Sequence, residues 1–321
     1  PSHEPIDWFL TNKQKGDARE RVNKMAGGTK RAMAHLIFRP GVPGDLETYT
    51  RELSELKPDS IKGYTIGDNT NKPFAPNYAW RMDDEKKAYP YYERAAKAGI
   101  KNVCVHKGLF PPSTTAQFPN LLGYANVEDV AKAAKDWPQL NFIIYHSAYR
   151  FAAGGTTEEA WNQIQSTGRI DWVSDLADIP SRYGVNNVYG DLGQIFAQST
   201  MANPNVCAFM MGTLVKGLGV DRVVWGTDAI WTGSPQWQIE SLRRLEIPAD
   251  MQKKYGFAAL GAADGPIKSA IFGGNNARLY SVTAAQRAAL DTDKFVEIKR
   301  LYAKVGEGRT NLAYGYVAPK A

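Results

Sequence analysis

Short apolar segments recur along the chain, and a stretch of helical character follows each of them. The segments are residues 32–38, 61–67, 101–106, 140–146, 187–192 and 222–228. They are rich in β-branched and aromatic residues rather than strictly alternating, which is typical of parallel strands covered on both faces. The intervening sequences that predict helices are DLETYTRELSEL, DEKKAYPYYERAAKAG, NVEDVAKAAKDW and AFMMGTLVKGLG. This alternation predicts an α/β fold built on a parallel sheet with helical crossovers.

The pattern changes at Ser281, where the strand and helix alternation stops. We therefore expect one main domain over residues 1–280. Residues 281–321 predict a helical extension and an irregular tail, because they are too few to form a second core. Such an appendage suits a packing arm, so we expect a homo-oligomer.

Composition is that of an ordinary globular protein: 43% of the 321 residues are hydrophobic, and no apolar run reaches 18 residues. The opening sequence PSHEPIDWFL lacks the features of a signal peptide. Because the chain begins with Pro1 rather than Met, we expect that an upstream segment has been removed. We expect a soluble protein, cytoplasmic by default, or periplasmic if an export signal preceded Pro1.

The net charge of +6 comes from 39 basic residues dispersed among 33 acidic ones, and no basic block reaches five residues. This dispersal argues against nucleic acid and membrane surfaces as partners and favours a small-molecule substrate. The two cysteines, Cys104 and Cys207, cannot form a disulfide framework, and both lie in apolar runs that predict burial.

Two of the four histidines occupy the last position of a predicted strand: His106 ends NVCVH and His146 ends NFIIYH. Asp228 closes a third strand, RVVWGTD. Strand C-termini are where α/β enzymes place their chemistry. Two imidazoles and a carboxylate suit a divalent zinc, manganese or iron ion. The structural alternatives are hydrogen-bonded core histidines and an Asp228 that only caps the next segment.

At these segments the sequence resembles the amidohydrolase superfamily, in the branch that includes the aminocarboxymuconate-semialdehyde and resorcylate decarboxylases. The likeness runs from about residue 32 to residue 280. It is most specific in VCVHKG, FIIYHSA, VVWGTD and IFGGNNARLY. The resemblance implies a metal-dependent (β/α)8 barrel with one divalent metal ion, for which we expect zinc, with manganese or iron as alternatives.

The resemblance also implies a role for each residue of the triad. His106 matches a metal ligand, His146 matches the acid/base group beside the metal, and Asp228 matches the group that binds the metal or its water. In members with two metal ions the residue at the position of His146 is itself a ligand.

One part of the family pattern has no counterpart, because nothing in the chain matches the His-x-His pair of the first barrel strand. Aligned on the motifs, the six predicted strands are strands three to eight. We therefore expect two strands before Pro1, carried by the same or a separate polypeptide, since six such strands cannot close a barrel.

Further candidates lie beside the triad. Lys107 and Arg150 follow the two histidines and could each anchor a substrate carboxylate, the alternative being a solvated surface charge. Trp231 could line a pocket for a planar substrate, the alternative being a core position. Asp191 could orient the site or only satisfy backbone donors.

Two remaining histidines have structural interpretations. His3 would lie near the mouth of the barrel, but we interpret it as a mobile terminal residue. His35 lies inside AMAHLIF and is interpreted as a hydrogen-bonded core histidine.

The leading functional hypothesis is metal-dependent hydrolysis of a C–N or C–O bond in a small carboxylate-bearing or cyclic substrate. The first alternative is metal-dependent, non-oxidative decarboxylation of an aromatic or unsaturated acid. The second is a catalytically silent barrel used for binding.

Overall fold

The computed structural model describes residues 10–67, 78–151 and 156–305. Six strands pair in chain order in one parallel sheet. The strands are β1 (His35–Ile37), β2 (Ser60–Tyr64), β3 (Asn102–His106), β4 (Asn141–Tyr145), β5 (Val188–Asp191) and β6 (Val223–Val224). Each overlaps one predicted segment, so the predicted α/β class and parallel sheet are confirmed. The two strands expected before β1 stay a prediction.

Helices follow every strand. They are α1 (Asn12–Met25), α2 (Asp45–Leu56), α3 (Tyr89–Lys97), α4 (Pro112–Gln117), α5 (Leu122–Ala125), α6 (Val130–Asp136), α7 (Thr156–Thr167), α8 (Val173–Tyr183), α9 (Ile195–Ala202), α10 (Pro204–Leu218), α11 (Ala229–Thr232), α12 (Gln236–Arg244), α13 (Ala249–Tyr255), α14 (Pro266–Ser269), α15 (Asn275–Leu279), α16 (Ala284–Leu290) and α17 (Val296–Val305). The 3₁₀ turns are Pro119–Leu121, His146–Ala148 and Val220–Arg222, and Ala270–Gly274 is a π-helical turn. The four predicted helices correspond to α2, α3, α6 and α10.

The chain divides into two compact units. Within the described ranges, the first comprises residues 10–67, 78–105, 139–142 and 277–305. Its interior is aromatic, with Phe38 packed 5.2 Å from the Trp80 ring centroid and Tyr49 packed 4.9 Å from Tyr91. Strand β2 carries Gly63 at this point because a Cβ there would lie 2.6 Å from the Trp80 ring. His35 contacts the Ser60 hydroxyl at 2.5 Å, which agrees with its interpretation as a hydrogen-bonded core histidine.

The second unit comprises, among the described residues, 106–138, 143–151 and 156–276. Helix α10 is its central helix: Pro204 begins it, the Asn203 side chain caps it, and it packs against α8. Cys207 on this helix is buried and free, as is Cys104 in the first unit, and both observations confirm the expected burial.

Strand β6 is shorter than predicted, since it ends at Val224 rather than at Asp228. The Trp225 amide donates to the Ile271 carbonyl at 3.1 Å instead of to a neighbouring strand, so the chain leaves the sheet there. Residues 225–228 therefore form a loop that carries Asp228 beyond the strand end.

Two predictions fall on residues outside the described ranges, namely those for His3 and for the tail after residue 305. The domain boundary at residue 280 stays a prediction. Within the described ranges, no helix combines the length and apolar character needed to cross a bilayer.

Candidate active site

His106 and His146 contact each other at the ends of neighbouring strands. His106 is the last residue of β3, and His146 directly follows β4. The His146 Nε2 atom lies 3.1 Å from His106 Nδ1, and the ring centroids are 4.6 Å apart. His146 is 5% exposed, whereas His106 is partly exposed. The structure therefore brings together two of the three residues that the sequence predicted for the site, with one ring facing inward and the other outward.

The second nitrogen of His146 determines how protons are arranged in this pair. Its Nδ1 atom lies 2.9 Å from the Gly193 carbonyl oxygen. A carbonyl oxygen only accepts hydrogen bonds, so Nδ1 carries a proton and donates it. In the neutral pair, His146 Nε2 is then an acceptor for a proton on His106 Nδ1. An imidazole anchored to a carbonyl in this way is typical of histidines that bind metals or transfer protons.

The backbone that carries His146 is strained. His146, Ser147 and Ala148 all have positive φ values, of 59°, 43° and 55°. Left-handed conformations in residues other than glycine cost on the order of 1–3 kcal/mol each and concentrate at functional sites. The Ser147 hydroxyl stabilises this turn by donating to the Asp191 carbonyl at 2.8 Å. The strained turn directs the His146 ring toward His106 and Gly193.

The loops after the two histidines are bound to each other by backbone contacts. The Leu109 and Phe110 amides donate to the Tyr149 and Arg150 carbonyls at 2.6 and 2.8 Å. Gly108 lies between His106 and these two amides in sequence and has φ +79°. A Cβ on Gly108 would lie 2.5 Å from the Ala148 carbonyl carbon. Only glycine allows this approach, which keeps the two histidine-bearing loops together.

Lys107, predicted as a substrate anchor, is fully buried. Its ammonium donates to the Tyr124 carbonyl and to the Asp129 carboxylate, both at 2.8 Å. The charge of Lys107 is thus compensated inside the protein, directly beside His106. The buried ion pair joins the end of β3 to the segment before α6, which no sequence signal predicted.

Asp191 ends β5, and its carboxylate lies close to two glycines, Gly193 and Gly226. Its Oδ1 atom accepts the Gly193 amide at 2.9 Å. A Cβ on Gly226 would collide with Oδ2 of the same carboxylate, and one on Gly193 would lie 2.8 Å from Oδ1. Gly226, the glycine of the segment VVWGTD, is therefore required by the close approach of Asp191.

Asp228 lies beside the same segment, with its Cβ 3.8 Å from where a Cβ on Gly193 would stand. It precedes α11 and has φ 52°, but its side chain makes no capping hydrogen bond to that helix. The capping role considered from sequence is thus not observed. Asp228 thus lies near Gly193, the residue whose carbonyl accepts the His146 Nδ1–H.

Arg150 and Trp231 lie nearer to solvent. The Arg150 guanidinium pairs with the Asp171 carboxylate at 2.6 Å and lies 5.3 Å from the Trp172 ring centroid. Its Nε atom is buried and makes no hydrogen bond among the described residues. Trp231, on α11, is 63% exposed, so it is a surface aromatic residue rather than part of the core.

The histidine pair fits the donor chemistry of a divalent metal ion. Two nitrogens bound to one zinc ion at its usual bond lengths stand about 2.9–3.4 Å apart, which includes the observed 3.1 Å. Within the described ranges, however, no three His, Cys, Asp or Glu side chains are grouped closely enough to hold one ion. The described residues thus supply two nitrogen atoms that could bind a metal ion, one from each histidine. Asp228 lies near Gly193, whose carbonyl holds His146 in place.

Comparison with protein families finds that residues 59–282 match the family described as Amidohydrolase. This range includes both histidines, Asp191 and Asp228. A comparison with curated proteins finds no match.

Several solved structures are similar at low identity. An uncharacterized TIM-barrel protein from Bordetella bronchiseptica is 14% identical, with a TM-score of 0.49, covering 84% of this chain and 72% of its own. The 5-carboxyvanillate decarboxylase from Sphingomonas paucimobilis is 15% identical, with a TM-score of 0.46, covering 86% and 76%. A dihydroxybenzoic acid decarboxylase from Polaromonas, solved with manganese and an inhibitor, is 14% identical, with a TM-score of 0.44, covering 86% and 77%. These activities belong to those proteins.

Proposed function

Because this chain belongs to the Amidohydrolase family, we propose that it is a metal-dependent hydrolase that cleaves a C–N or C–O bond of a small substrate. The observation that carries the proposal is the 3.1 Å contact between His106 and His146 at the ends of adjacent strands. This is the position at which parallel α/β enzymes place reacting groups. The contact joins a partly exposed imidazole to an anchored one, an arrangement that suits acid–base chemistry beside a metal ligand.

Each residue of the triad has a proposed role. His106 would hold a divalent metal ion, which we propose is zinc, with manganese and iron as alternatives, and Asp228 would hold the ion or its water. A metal bound there would polarise the scissile carbonyl and lower the pKa of a water molecule. His146 would transfer protons at Nε2, because its Nδ1–H already donates a hydrogen bond to the Gly193 carbonyl.

The proposed substrate is small, and carboxylate-bearing or cyclic. The support for a carboxylate is Arg150, four residues after His146, whose guanidinium retains a buried Nε–H without a hydrogen-bond acceptor among the described residues. Lys107 remains a second proposed anchor, although its buried pairing with Asp129 makes Arg150 the better supported of the two. Trp231 would supply an exposed aromatic face for a planar ring.

The test is a screen of the metal-loaded protein against small cyclic amides, lactones and esters that carry a carboxylate, followed by mass spectrometry. We expect products that have gained one water molecule. The Asp228→Asn variant should lose at least about 100-fold in kcat/KM with an unchanged circular dichroism spectrum, since the carboxylate acts on the metal or its water. Activity within about tenfold of the wild type would contradict the role of Asp228.

The same screen separates the alternatives. Release of CO₂ from an aromatic or unsaturated acid, without uptake of water, would replace hydrolysis by decarboxylation. Metal-loaded protein that binds panel compounds without converting any of them would indicate a catalytically silent barrel.

A further inference from the structure

We propose that Asp191 is a positioning residue that sets the orientation and the tautomer of His146 through the backbone of Gly193. The inference deepens the proposed function and rests on it only for the kinetic part of its test. Asp191 would touch neither substrate nor metal. Its hydrogen bond to the Gly193 amide would fix the backbone of Gly193, whose carbonyl accepts the hydrogen bond from His146.

A continuous set of hydrogen bonds connects the two residues. The Asp191 Oδ1 atom accepts the Gly193 amide at 2.9 Å. The carbonyl of the same residue accepts His146 Nδ1–H at 2.9 Å. His146 Nε2 is 3.1 Å from His106 Nδ1. The position of the Gly193 carbonyl, on the residue whose amide Asp191 binds, therefore determines which nitrogen of His146 is protonated and which one faces the site.

A second connection runs through the backbone of Asp191. The Ser147 hydroxyl donates to the Asp191 carbonyl at 2.8 Å, next to His146 in the strained left-handed turn. The end of β5 thus holds both the ring of His146 and the backbone that carries it. A residue that only satisfied backbone donors would need neither connection to the site.

The space around the carboxylate is built to keep it in one place. Asp191 is 6% exposed, and its Oδ1 and Oδ2 atoms lie 2.8 and 2.3 Å from where a Cβ on Gly193 and on Gly226 would stand. The glycine of the GTD motif thus admits the carboxylate at the loop that carries Asp228. A larger residue at 226 would displace the carboxylate from the Gly193 amide.

The test uses the full-length protein with ¹⁵N-labelled histidine, whose two ring nitrogens give different NMR signals in each tautomer. At one neutral pH and after metal chelation, we expect the wild type to show His146 as a single Nδ1–H tautomer. The Asp191→Asn variant retains an acceptor for the Gly193 amide and should keep that tautomer. The Asp191→Ala variant removes the acceptor and should give a mixture. An unchanged His146 signal in Asp191→Ala would overturn the proposal.

A second pair of variants covers the case in which Asp191→Ala fails to fold. Gly226→Ala leaves Asp191 in the chain but places a methyl group in the carboxylate's position, so it should also give mixed tautomers. Gly123→Ala is the matched control, because a Cβ there meets nothing within 4 Å. A wild-type His146 signal in Gly226→Ala would overturn the proposal equally.

Kinetics separates positioning from general stability. With the holoenzyme and a substrate found by the screen, Asp191→Ala should lower kcat about 10- to 100-fold and leave KM within about threefold, and Asp191→Asn should restore most of kcat. Asp45→Asn removes a comparably buried carboxylate that also accepts a backbone amide, and it should leave kcat unchanged.

Hydrolysis with no effect of Asp191→Ala on tautomer or kcat would reject the inference alone. The expected tautomers without any hydrolysis would reject only the proposed function.

Discussion

The Nε2 atom of His146 lies 3.1 Å from the Nδ1 atom of His106, although the two residues are 40 positions apart in sequence. Two unprotonated nitrogens at this distance would repel each other, so the contact requires a shared proton or a shared cation. The His146 Nδ1–H already donates a hydrogen bond to the Gly193 carbonyl. In the neutral pair, the proton between the rings therefore belongs to His106 Nδ1, and His146 Nε2 accepts it.

The close approach of the two histidine-bearing loops depends on Gly108. We expect Gly108→Ala to destabilise the protein by about 1–2 kcal/mol for the left-handed conformation, with about 1–3 kcal/mol more from the clash with the Ala148 and Tyr149 backbone. The measurement is the free energy of unfolding from urea denaturation.

Gly99→Ala is the matched control for this change. Gly99 has the same φ of +79°, but a Cβ there meets nothing within 4 Å, so only the conformational cost applies. Equal destabilisation in the two variants would show that the loops adjust freely and that Gly108 does not hold them together.

The Lys107 and Asp129 pair is fully buried, and we expect it to be structurally essential. Lys107→Met leaves the Asp129 carboxylate buried and unpaired, which should cost about 3–5 kcal/mol. The double variant Lys107→Met/Asp129→Asn removes both charges and should recover a large part of that loss. Urea denaturation of the single and double variants measures both values.

The same variants test Lys107 as a substrate anchor. A residue that binds a substrate carboxylate should raise KM when replaced, with little effect on stability. If Lys107→Met unfolds at the wild-type urea concentration while its KM rises tenfold or more, Lys107 is a ligand for the substrate and the structural role is wrong.

The positions of the strands were predictable because a buried parallel strand is a compact apolar run, and α2 was predictable because it has a clear amphipathic pattern over residues 45–56. The two histidines were identified because a polar residue at the end of such a run is conspicuous. The resemblance to the amidohydrolases is confirmed by the family match over residues 59–282.

Other features depend on contacts between distant residues and could not be predicted. The burial of Lys107 depends on Asp129, which is 22 positions away, and the exit of the chain after Val224 depends on the Ile271 carbonyl. The function of Gly226 becomes visible only when the carboxylate of Asp191 is placed against it. The sequence patterns identify the strands but not the contacts that form between the segments that follow them.

His35 should make the first unit sensitive to acid. Loss of hydration, together with the charges of Lys62 and Lys15, lowers the pKa of His35 to about 3, although Asp59 opposes this. The unfolded chain therefore binds a proton near pH 6.5 that the folded protein excludes. The resulting stability is fully present above about pH 6.5 and is lost as the pH falls toward 3, at on the order of 1 kcal/mol per pH unit.

The measurement is the free energy of unfolding of the wild type and of His35→Gln at pH 7.5 and pH 4.5. We expect a smaller loss of stability on acidification in the variant, because glutamine does not take up the proton. Equal losses in the two proteins would show that His35 is not the group responsible.

The most direct test of the central claim, that His106 binds a metal ion beside the proton-transfer residue His146, is a calorimetric titration of chelator-treated protein with Zn²⁺. We predict that the wild type binds one equivalent. His106→Ala should bind it on the order of 100-fold more weakly or not at all, while His35→Gln, which removes a histidine elsewhere, should bind like the wild type. Zinc binding by His106→Ala that equals the wild type, or a wild type that binds no zinc, manganese or iron, would contradict the account.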